Sequence, residues 1–123
     1  MSRPETRLLV AVINDPEKLD EILSGFLELG ITGATIVNSE GMGRMLSQDV
    51  PIFAGLQAFL SGSRAENRMI FSVVPEPVVD PALALLQDVC GNLASPATGI
   101  AFVLPVERVV GLAPELGDQP AAL

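Results

Sequence analysis

The sequence carries the same pattern twice, and this internal repeat is the strongest constraint on its fold. In each copy an apolar run is followed by an Asp-Pro pair, an apolar stripe with helical spacing and a glycine. The first copy has its run at 7–13, its pair at Asp15-Pro16 and its glycine at Gly30. Such runs are typical of buried central strands, and Asp before Pro is a favoured start of a helix. Each copy therefore predicts a strand followed by a helix.

The second copy predicts a strand at 68–74 and a helix that begins at Asp80-Pro81 and ends at Gly91. Behind each helix comes another β-favouring run, at 33–38 in the first copy and at 99–106 in the second. The order is therefore β-α-β followed by β-α-β.

This order predicts an α+β fold, the ferredoxin-like βαββαβ sandwich, with a four-stranded antiparallel sheet and two helices on one face. The alternative is an open α/β sheet. Four strands and two helices are too few for a doubly wound sheet, because that architecture needs helices on both faces. We therefore expect the ferredoxin-like arrangement.

The chain of 123 residues is the length of one domain, which we place at 1–112. An insertion at about 41–67 separates the second and third strands. Connections longer than about 12–15 residues in a compact domain are commonly functional. The segment 113–123 is acidic, without Lys or Arg, and we expect a mobile tail there.

The insertion contains apolar residues at helical spacing, which give it one apolar face. These residues are Ile52, Phe53, Leu56, Phe59 and Leu60. One interpretation is a short helix that packs on the domain or on a neighbouring subunit. The other is an exposed segment that docks onto a target protein. The sequence leaves both open.

Composition excludes several classes of function. The chain has no His and a single Cys, so one chain cannot assemble a His/Cys zinc site or a Ser-His or Cys-His couple. We therefore expect no catalytic residue, no metal site and no enzymatic activity. Seven Lys and Arg stand against 15 Asp and Glu, and a net charge of −8 argues against nucleic acid as a partner.

Hydropathy argues for a cytoplasmic protein. No apolar run reaches the roughly 18 residues of a membrane-spanning helix, so we do not expect an integral membrane protein. The polar start of the sequence lacks the apolar core of a signal peptide. The hydrophobic content of 49% is nevertheless high for a small domain. This excess predicts apolar surface that is covered in an oligomer or by a partner.

Four short motifs follow one another along the chain. They are Lys18-Leu19-Asp20-Glu21, Gly30-Ile31-Thr32-Gly33-Ala34-Thr35, Gly41-Met42-Gly43-Arg44 and Phe102-Val103-Leu104-Pro105-Val106-Glu107. In order and spacing, over about residues 7–112, they resemble the PII family of signalling proteins. The resemblance implies a cytoplasmic homotrimer of ferredoxin-like subunits that takes part in nitrogen regulation and has no metabolic activity of its own.

The resemblance also implies a ligand and a target. PII proteins bind ATP or ADP between subunits, together with small-molecule effectors, and act on transporters or metabolic enzymes through a long T-loop. The insertion at 41–67 would be that loop, with the apolar residues named above as its docking face. The positions that match the PII binding motifs are Gly33, Thr35, Gly41, Met42, Gly43, Arg44 and Gly99.

The phosphate side of the PII site differs in this chain. Ile100, Gly111 and Ala113 stand where the resemblance leads us to expect cations. Because charge-assisted hydrogen bonds hold phosphates, we expect weak binding of ATP. A ligand with less charge, such as AMP, a cyclic nucleotide or a non-nucleotide metabolite, is favoured instead. Arg64, Arg68 and Arg108 are the cations that could compensate.

Two further hypotheses remain open at this point. The first is a trimeric interaction protein that has lost its ligand site and only docks a partner. The second is an ion-tolerance protein of the CutA type, which shares the fold and the trimer. The absence of His and the single Cys argue against metal handling by the second.

Overall fold

The computed structural model of the protein describes residues 5–40, 42, 67–91 and 99–112. Its elements, in chain order, are β1 (Thr6–Ile13), a 3-10 turn (Pro16–Lys18), α1 (Leu19–Glu28), β2 (Thr35–Ser39), β3 (Asn67–Pro75), α2 (Glu76–Cys90) and β4 (Gly99–Val106). The strands form one sheet in the order β2-β3-β1-β4, and all neighbouring pairs are antiparallel. This topology confirms the ferredoxin-like prediction.

The strand predictions agree with these bounds to within two residues, and the last strand has the predicted limits. The apolar runs at 7–13 and 68–74 became the central strands, β1 and β3, whereas the similarly apolar run at 99–106 became the edge strand β4. A central strand has no free edge and is covered on at least one face, which is the environment that such runs favour.

The first helix begins and ends as the sequence predicts. The carboxylate Oδ1 of Asp15 accepts a hydrogen bond of 3.0 Å from the backbone N–H of Glu17, and Pro16 opens the 3-10 turn that leads into α1. At the other end Gly30 has a φ of +89°, which the missing Cβ of glycine makes cheap.

The predicted start of the second helix was wrong. α2 begins at Glu76, so the Asp80-Pro81 pair lies inside the helix. The early start is favoured because Val79 is buried against the sheet. The backbone N–H of Glu76 also finds a partner, since it donates 2.7 Å to the carbonyl oxygen of Glu5. The predicted end at Gly91 is confirmed, with a φ of +82° there.

The hydrophobic core lies between the two helices and one face of the sheet. Its buried members are Leu9, Ala11, Ile13, Ile22, Phe26, Ile31, Ile70, Val74, Val79, Ala82, Leu86 and Val89. The alternation of β1 explains this arrangement, because successive side chains point to opposite faces of a sheet.

The opposite face of the sheet is also apolar, and no helix among the described residues covers it. Register places Phe71, Val10 and Phe102 side by side in one row of this face. Parallel rows on either side hold Val73, Leu8 and Leu104, and Met69, Val12 and Ile100. The β4 members of the three rows are exposed. We call the nine residues of these rows the open sheet face.

Several sequence predictions lie outside the described residues. They include the docking face of the insertion at 41–67, the tail at 113–123, and the ligand positions Gly41, Gly43 and Arg44. In the part of the chain that is described, no helix has the length and apolarity needed to cross a membrane.

Candidate functional site

A cleft in the described part of the chain opens where β3 extends beyond its partner β2. Its volume is about 430 Å³. β2 pairs with only the first five residues of β3, so 72–75 have no β2 neighbour. The linker between α1 and β2 passes over this gap. The lining residues are Leu8, Gly30, Ile31, Thr32, Gly33, Ala34, Thr35, Phe71, Ser72, Val73, Val74, Pro75, Val78, Val109, Gly111 and Leu112.

Hydrogen bonds fix the linker that forms one wall of the cleft. The hydroxyl of Ser72 donates 2.6 Å to the carbonyl oxygen of Gly33. At the start of the linker, the N–H of Ile31 donates 2.9 Å to the carbonyl oxygen of Phe26. The linker has no regular secondary structure, so these bonds and the burial of Ile31 determine its path.

The segment that follows β4 forms a second wall. After Val106 the chain turns back, so that Val109, Gly111 and Leu112 line the cleft. Gly111 has a φ of +84° and open space where a Cβ would stand. Both halves of the repeat and the end of the domain therefore contribute residues to the walls of the cleft.

The chemistry of this cleft is neutral. Its described lining consists of apolar side chains, glycines and three hydroxyl residues, with no charged side chain among them. The Ser72 hydroxyl is engaged by Gly33, and the hydroxyl of Thr35 and the linker backbone supply further polar groups. An apolar ring with a few hydrogen-bonding groups fits such a surface.

Comparison with protein families identifies the family of the chain. The model of the family described as nitrogen regulatory protein P-II matches residues 7–115. The chain belongs to the PII family. The match covers both halves of the repeat and the segment beyond β4 that lines the cleft. No curated protein matches the sequence. PII proteins are regulators rather than enzymes, so the match favours regulation over the ion-tolerance alternative.

The cleft contains two of the residues that the PII motifs predict. Gly33 and Thr35 both line it, Gly33 on the linker and Thr35 at the start of β2. Met42 is described and exposed, but it is not among the lining residues.

Gly99 lies elsewhere in the subunit. It begins β4, where it pairs with Ile13 on the opposite edge of the sheet from β2. Three strand spacings separate the two edges, about 14 Å in all. One chain therefore does not bring Gly99 together with Gly33 and Thr35. A ligand that touches both groups would have to lie between two chains.

Gly99 also has a structural reason to be glycine. Its φ is +141°, and a Cβ at this position would lie 2.5 Å from the carbonyl oxygen of Val12. This approach of backbone to backbone leaves no room for a side chain. The glycine is thus required by the packing of β4 on β1, whether or not a ligand binds there.

The residues that depart from the PII pattern lie in different parts of the structure. Ile100 is exposed on the open sheet face, and Gly111 lines the cleft. Ala113 and Arg64 lie outside the described residues. Arg68 and Arg108 are not among the described residues that line the cleft. The described lining therefore gains no cation in exchange for those that the pattern lacks.

Sequence reasoning missed the floor of the cleft. Phe71, Ser72 and Val73 of β3 line it, and the sequence suggested only that they belong to an apolar strand. One signal was present: Ser72 interrupts this run as a polar residue with no solvent-facing role in the predicted strand. A buried serine needs a hydrogen-bond partner, and that partner is the cleft wall.

Proposed function

We propose that the protein is a homotrimeric PII-like regulator. It binds a small ligand in the cleft beside Gly33 and Thr35, between two subunits, and controls a target protein through the insertion at 41–67. The observation that carries this proposal is the position of the cleft. It opens at the same linker that bears the PII motif, and two of the motif residues line it.

The open sheet face supports the homotrimer. It is a continuous apolar surface of three register rows, and Phe102 in its central row is 44% exposed in the single chain. Soluble monomers rarely expose large contiguous apolar patches, because covering them is worth roughly 25 cal/mol per Å². Further copies of the same chain would cover this face and would account for the high apolar content of the sequence.

The cleft supports an adenine nucleotide or a related metabolite of low charge. An adenine ring suits apolar walls with hydroxyl and backbone groups at their edges. Each charge-assisted hydrogen bond to a phosphate contributes about 1.5–3 kcal/mol, and the described lining offers no cation to make one. We therefore rank AMP, a cyclic nucleotide or an uncharged metabolite above ADP, and ADP above ATP.

The proposed output is control of a target in the cytoplasm. Ligand binding would order the insertion, and its conformation would set the affinity for a transporter or an enzyme of nitrogen metabolism. The docking residues we propose are the apolar set of the insertion, with Gly41, Gly43 and Arg44 near the ligand. The alternative is an interaction protein without a ligand, which the neutral lining of the cleft also favours.

A ligand panel tests the proposal. Thermal unfolding of the wild-type protein is followed with adenosine, AMP, cyclic AMP, ADP and ATP, and calorimetry is used for any ligand that raises Tm. We expect a rise with adenosine or AMP that is larger than with ATP. Thr35→Ala should weaken that binding, whereas Val110→Ala, at an exposed position outside the lining, should not.

The outcomes separate the alternatives. A trimer whose Tm no ligand changes would favour the interaction protein. Stronger binding of ATP than of AMP would mean that residues such as Arg44 or Arg64 supply cations to the cleft, and it would contradict our ranking. A monomer in light scattering would contradict the site between subunits altogether.

A further inference from the structure

The floor of the cleft carries a single aromatic side chain among the described lining residues, that of Phe71. The chain has five Phe and neither Trp nor Tyr. Among the described phenylalanines, Phe26 lies in the core, and Phe102 lies on the open sheet face outside the lining of the cleft. Phe71 is half-buried and lines the cleft, so a ligand there can reach its ring.

Strand register places a hydroxyl group beside this ring. Phe71 of β3 pairs directly with Thr35, the first residue of β2. Residues paired in this way point to the same face of a sheet, with Cβ atoms about 4.5–5.5 Å apart. Thr35 is exposed and also lines the cleft. An aromatic face and a hydrogen-bonding group therefore stand side by side at this point of the cleft.

The neutral lining makes the aromatic face important for binding. No charged side chain lies among the described lining residues, so apolar contact and a few hydrogen bonds have to hold a ligand there. Stacking of a planar ring on an aromatic side chain adds to the free energy gained by burying apolar area. A sugar or an acyclic acid gains no stacking and leaves polar groups against the apolar walls formed by Val109 and Leu112.

We propose that Phe71 selects the ligand of the cleft: a planar, uncharged aromatic ring stacks on its side chain, with a hydrogen-bonding group of the ring edge at the Thr35 hydroxyl. The class of ligand is therefore a compound with a heteroaromatic ring, such as a purine, rather than a sugar or an organic acid. This assignment rests on the proposed function, because it concerns the same cleft. The motif positions that the PII resemblance selects include Thr35 but not Phe71.

A comparison of three uncharged compounds tests the requirement for a ring. Calorimetry measures the binding of adenosine, uridine and ribose to the full-length protein. Adenosine should bind most tightly, because its larger ring stacks over more of the Phe71 side chain. Uridine should bind more weakly, and ribose, which has no aromatic ring, should show no binding.

Matched variants locate the contact. Phe71→Leu removes the ring but keeps the open sheet face apolar, and it should weaken adenosine binding about fivefold or more, as expected for a lost base–aromatic stack. Phe102→Leu makes the same change in the same register row, outside the lining, and should leave adenosine binding unaltered. Circular dichroism and light scattering check that both variants keep the fold and the assembly of the wild type.

A fluorescence measurement separates stacking from a purely structural role. Phe71→Trp keeps an aromatic face, so it should retain adenosine binding, and it introduces the sole indole of a chain that has no Trp. A purine stacked on this indole should quench its emission. Phe102→Trp carries the same emitter outside the lining, and its emission should not change when adenosine is added.

The results distinguish this assignment from the proposed function. If the wild type binds adenosine and Phe71→Leu binds it equally well, the ligand cleft stands and the role of Phe71 is overturned. Equal quenching in the two Trp variants, or binding of ribose as tight as that of adenosine, would overturn it as well. If neither nucleoside binds the wild type, the proposed adenine ligand fails, and the assignment of Phe71 fails with it.

Discussion

The hydroxyl of Ser72 in β3 donates a hydrogen bond of 2.6 Å to the carbonyl oxygen of Gly33 in the linker before β2. Ser72 is only 3% exposed, so its polar group needs this partner. The bond joins the floor of the cleft to its wall, at the residue that the PII motif selects. It couples the stability of the sheet to the shape of the candidate site.

Replacing Ser72 by alanine should therefore lower both stability and ligand binding. Ser72→Ala leaves the carbonyl oxygen of Gly33 without its donor, and we expect the free energy of unfolding to fall by about 1–3 kcal/mol. Urea denaturation at a fixed protein concentration measures this, because unfolding of an oligomer depends on concentration. The linker should also become less well fixed, which weakens any ligand bound beside Gly33.

Ser39→Ala is the matched control. The Oγ of Ser39 is buried, and within the described part of the chain it has no hydrogen-bond partner. Removing an unsatisfied hydroxyl should be neutral or slightly stabilising. Equal losses in the two variants would contradict a specific role for the bond between Ser72 and Gly33.

The helices illustrate how far local sequence signals predict this fold. Asp15 before Pro16 marks the start of the first helical segment correctly, because a side-chain cap forms there. The same dipeptide at Asp80-Pro81 does not mark the start of a helix, because α2 already begins at Glu76. Burial of Val79 on the sheet is a tertiary contact, and a capping rule that uses only neighbouring residues cannot register it.

Pro81→Ala should stabilise the protein for the same reason. Proline inside a helix lacks the N–H that would bond to the carbonyl oxygen of Pro77, and it costs about 3 kcal/mol relative to alanine. Alanine also gives the unfolded chain more conformational freedom, and this lowers the stability by about 0.4–1 kcal/mol. We expect the free energy of unfolding, measured by urea denaturation, to rise by about 2–2.6 kcal/mol.

Pro77→Ala provides the comparison. Pro77 lies in the first turn of α2, where backbone N–H groups have no partner within the helix. No helical hydrogen bond is gained there, so stability should stay the same or fall slightly. A gain equal to that of Pro81→Ala would mean that recovery of a helical hydrogen bond does not explain the stabilisation.

Only the linker wall of the candidate site could be predicted from the sequence. Gly33 and Thr35 belong to a contiguous motif, so the sequence alone draws attention to them. The facing residues come from β3 and from the segment after β4, and only strand register and the return of the chain bring Phe71 and Val109 to the same cleft. Such contacts between distant parts of a chain leave no spacing that a single sequence displays.

Alanine substitutions at two glycines distinguish the cost of backbone strain from the cost of a steric clash. Gly99→Ala combines a left-handed φ with a Cβ directed at the carbonyl oxygen of Val12, so backbone must move. Gly111→Ala has a similar strain at φ +84° but open space around it. We expect Gly111→Ala to lower the free energy of unfolding by about 1–2 kcal/mol, and Gly99→Ala to lower it by clearly more, as measured by urea denaturation. Equal losses would mean that β4 shifts away from β1 at no cost.

The thiol of Cys90 should respond to pH in a defined direction. Burial raises the pKa of Cys90, Lys18 opposes the shift, and Asp15 and Glu21 add to it. The folded protein thus disfavours the thiolate. The stabilisation is fully present below the ordinary thiol pKa of about 8.5, and it is lost as pH rises through the folded value.

Alkylation and unfolding measure this effect. Iodoacetamide should modify Cys90 slowly at pH 7.5 in the folded protein and faster in urea. Between pH 8 and pH 10 the wild type should lose more stability than Cys90→Ala. Rapid alkylation of the folded protein at pH 7.5 would contradict a raised pKa.

The open sheet face makes the strongest prediction about assembly. Phe102 lies in its central row, next to Val10, and it is 44% exposed in the single chain. Phe102→Asp would place a carboxylate among apolar side chains of neighbouring subunits, a burial that no partner offsets. Light scattering should then find monomers of 12.9 kDa for this variant, whereas the proposed assembly predicts trimers for the wild type. Circular dichroism should remain unchanged, because the helix-side core does not include this residue.

Val110→Asp adds the same charge at a position that is 99% exposed and outside the sheet, so its trimer should persist. Trimers of Phe102→Asp would mean that the subunits meet through another surface.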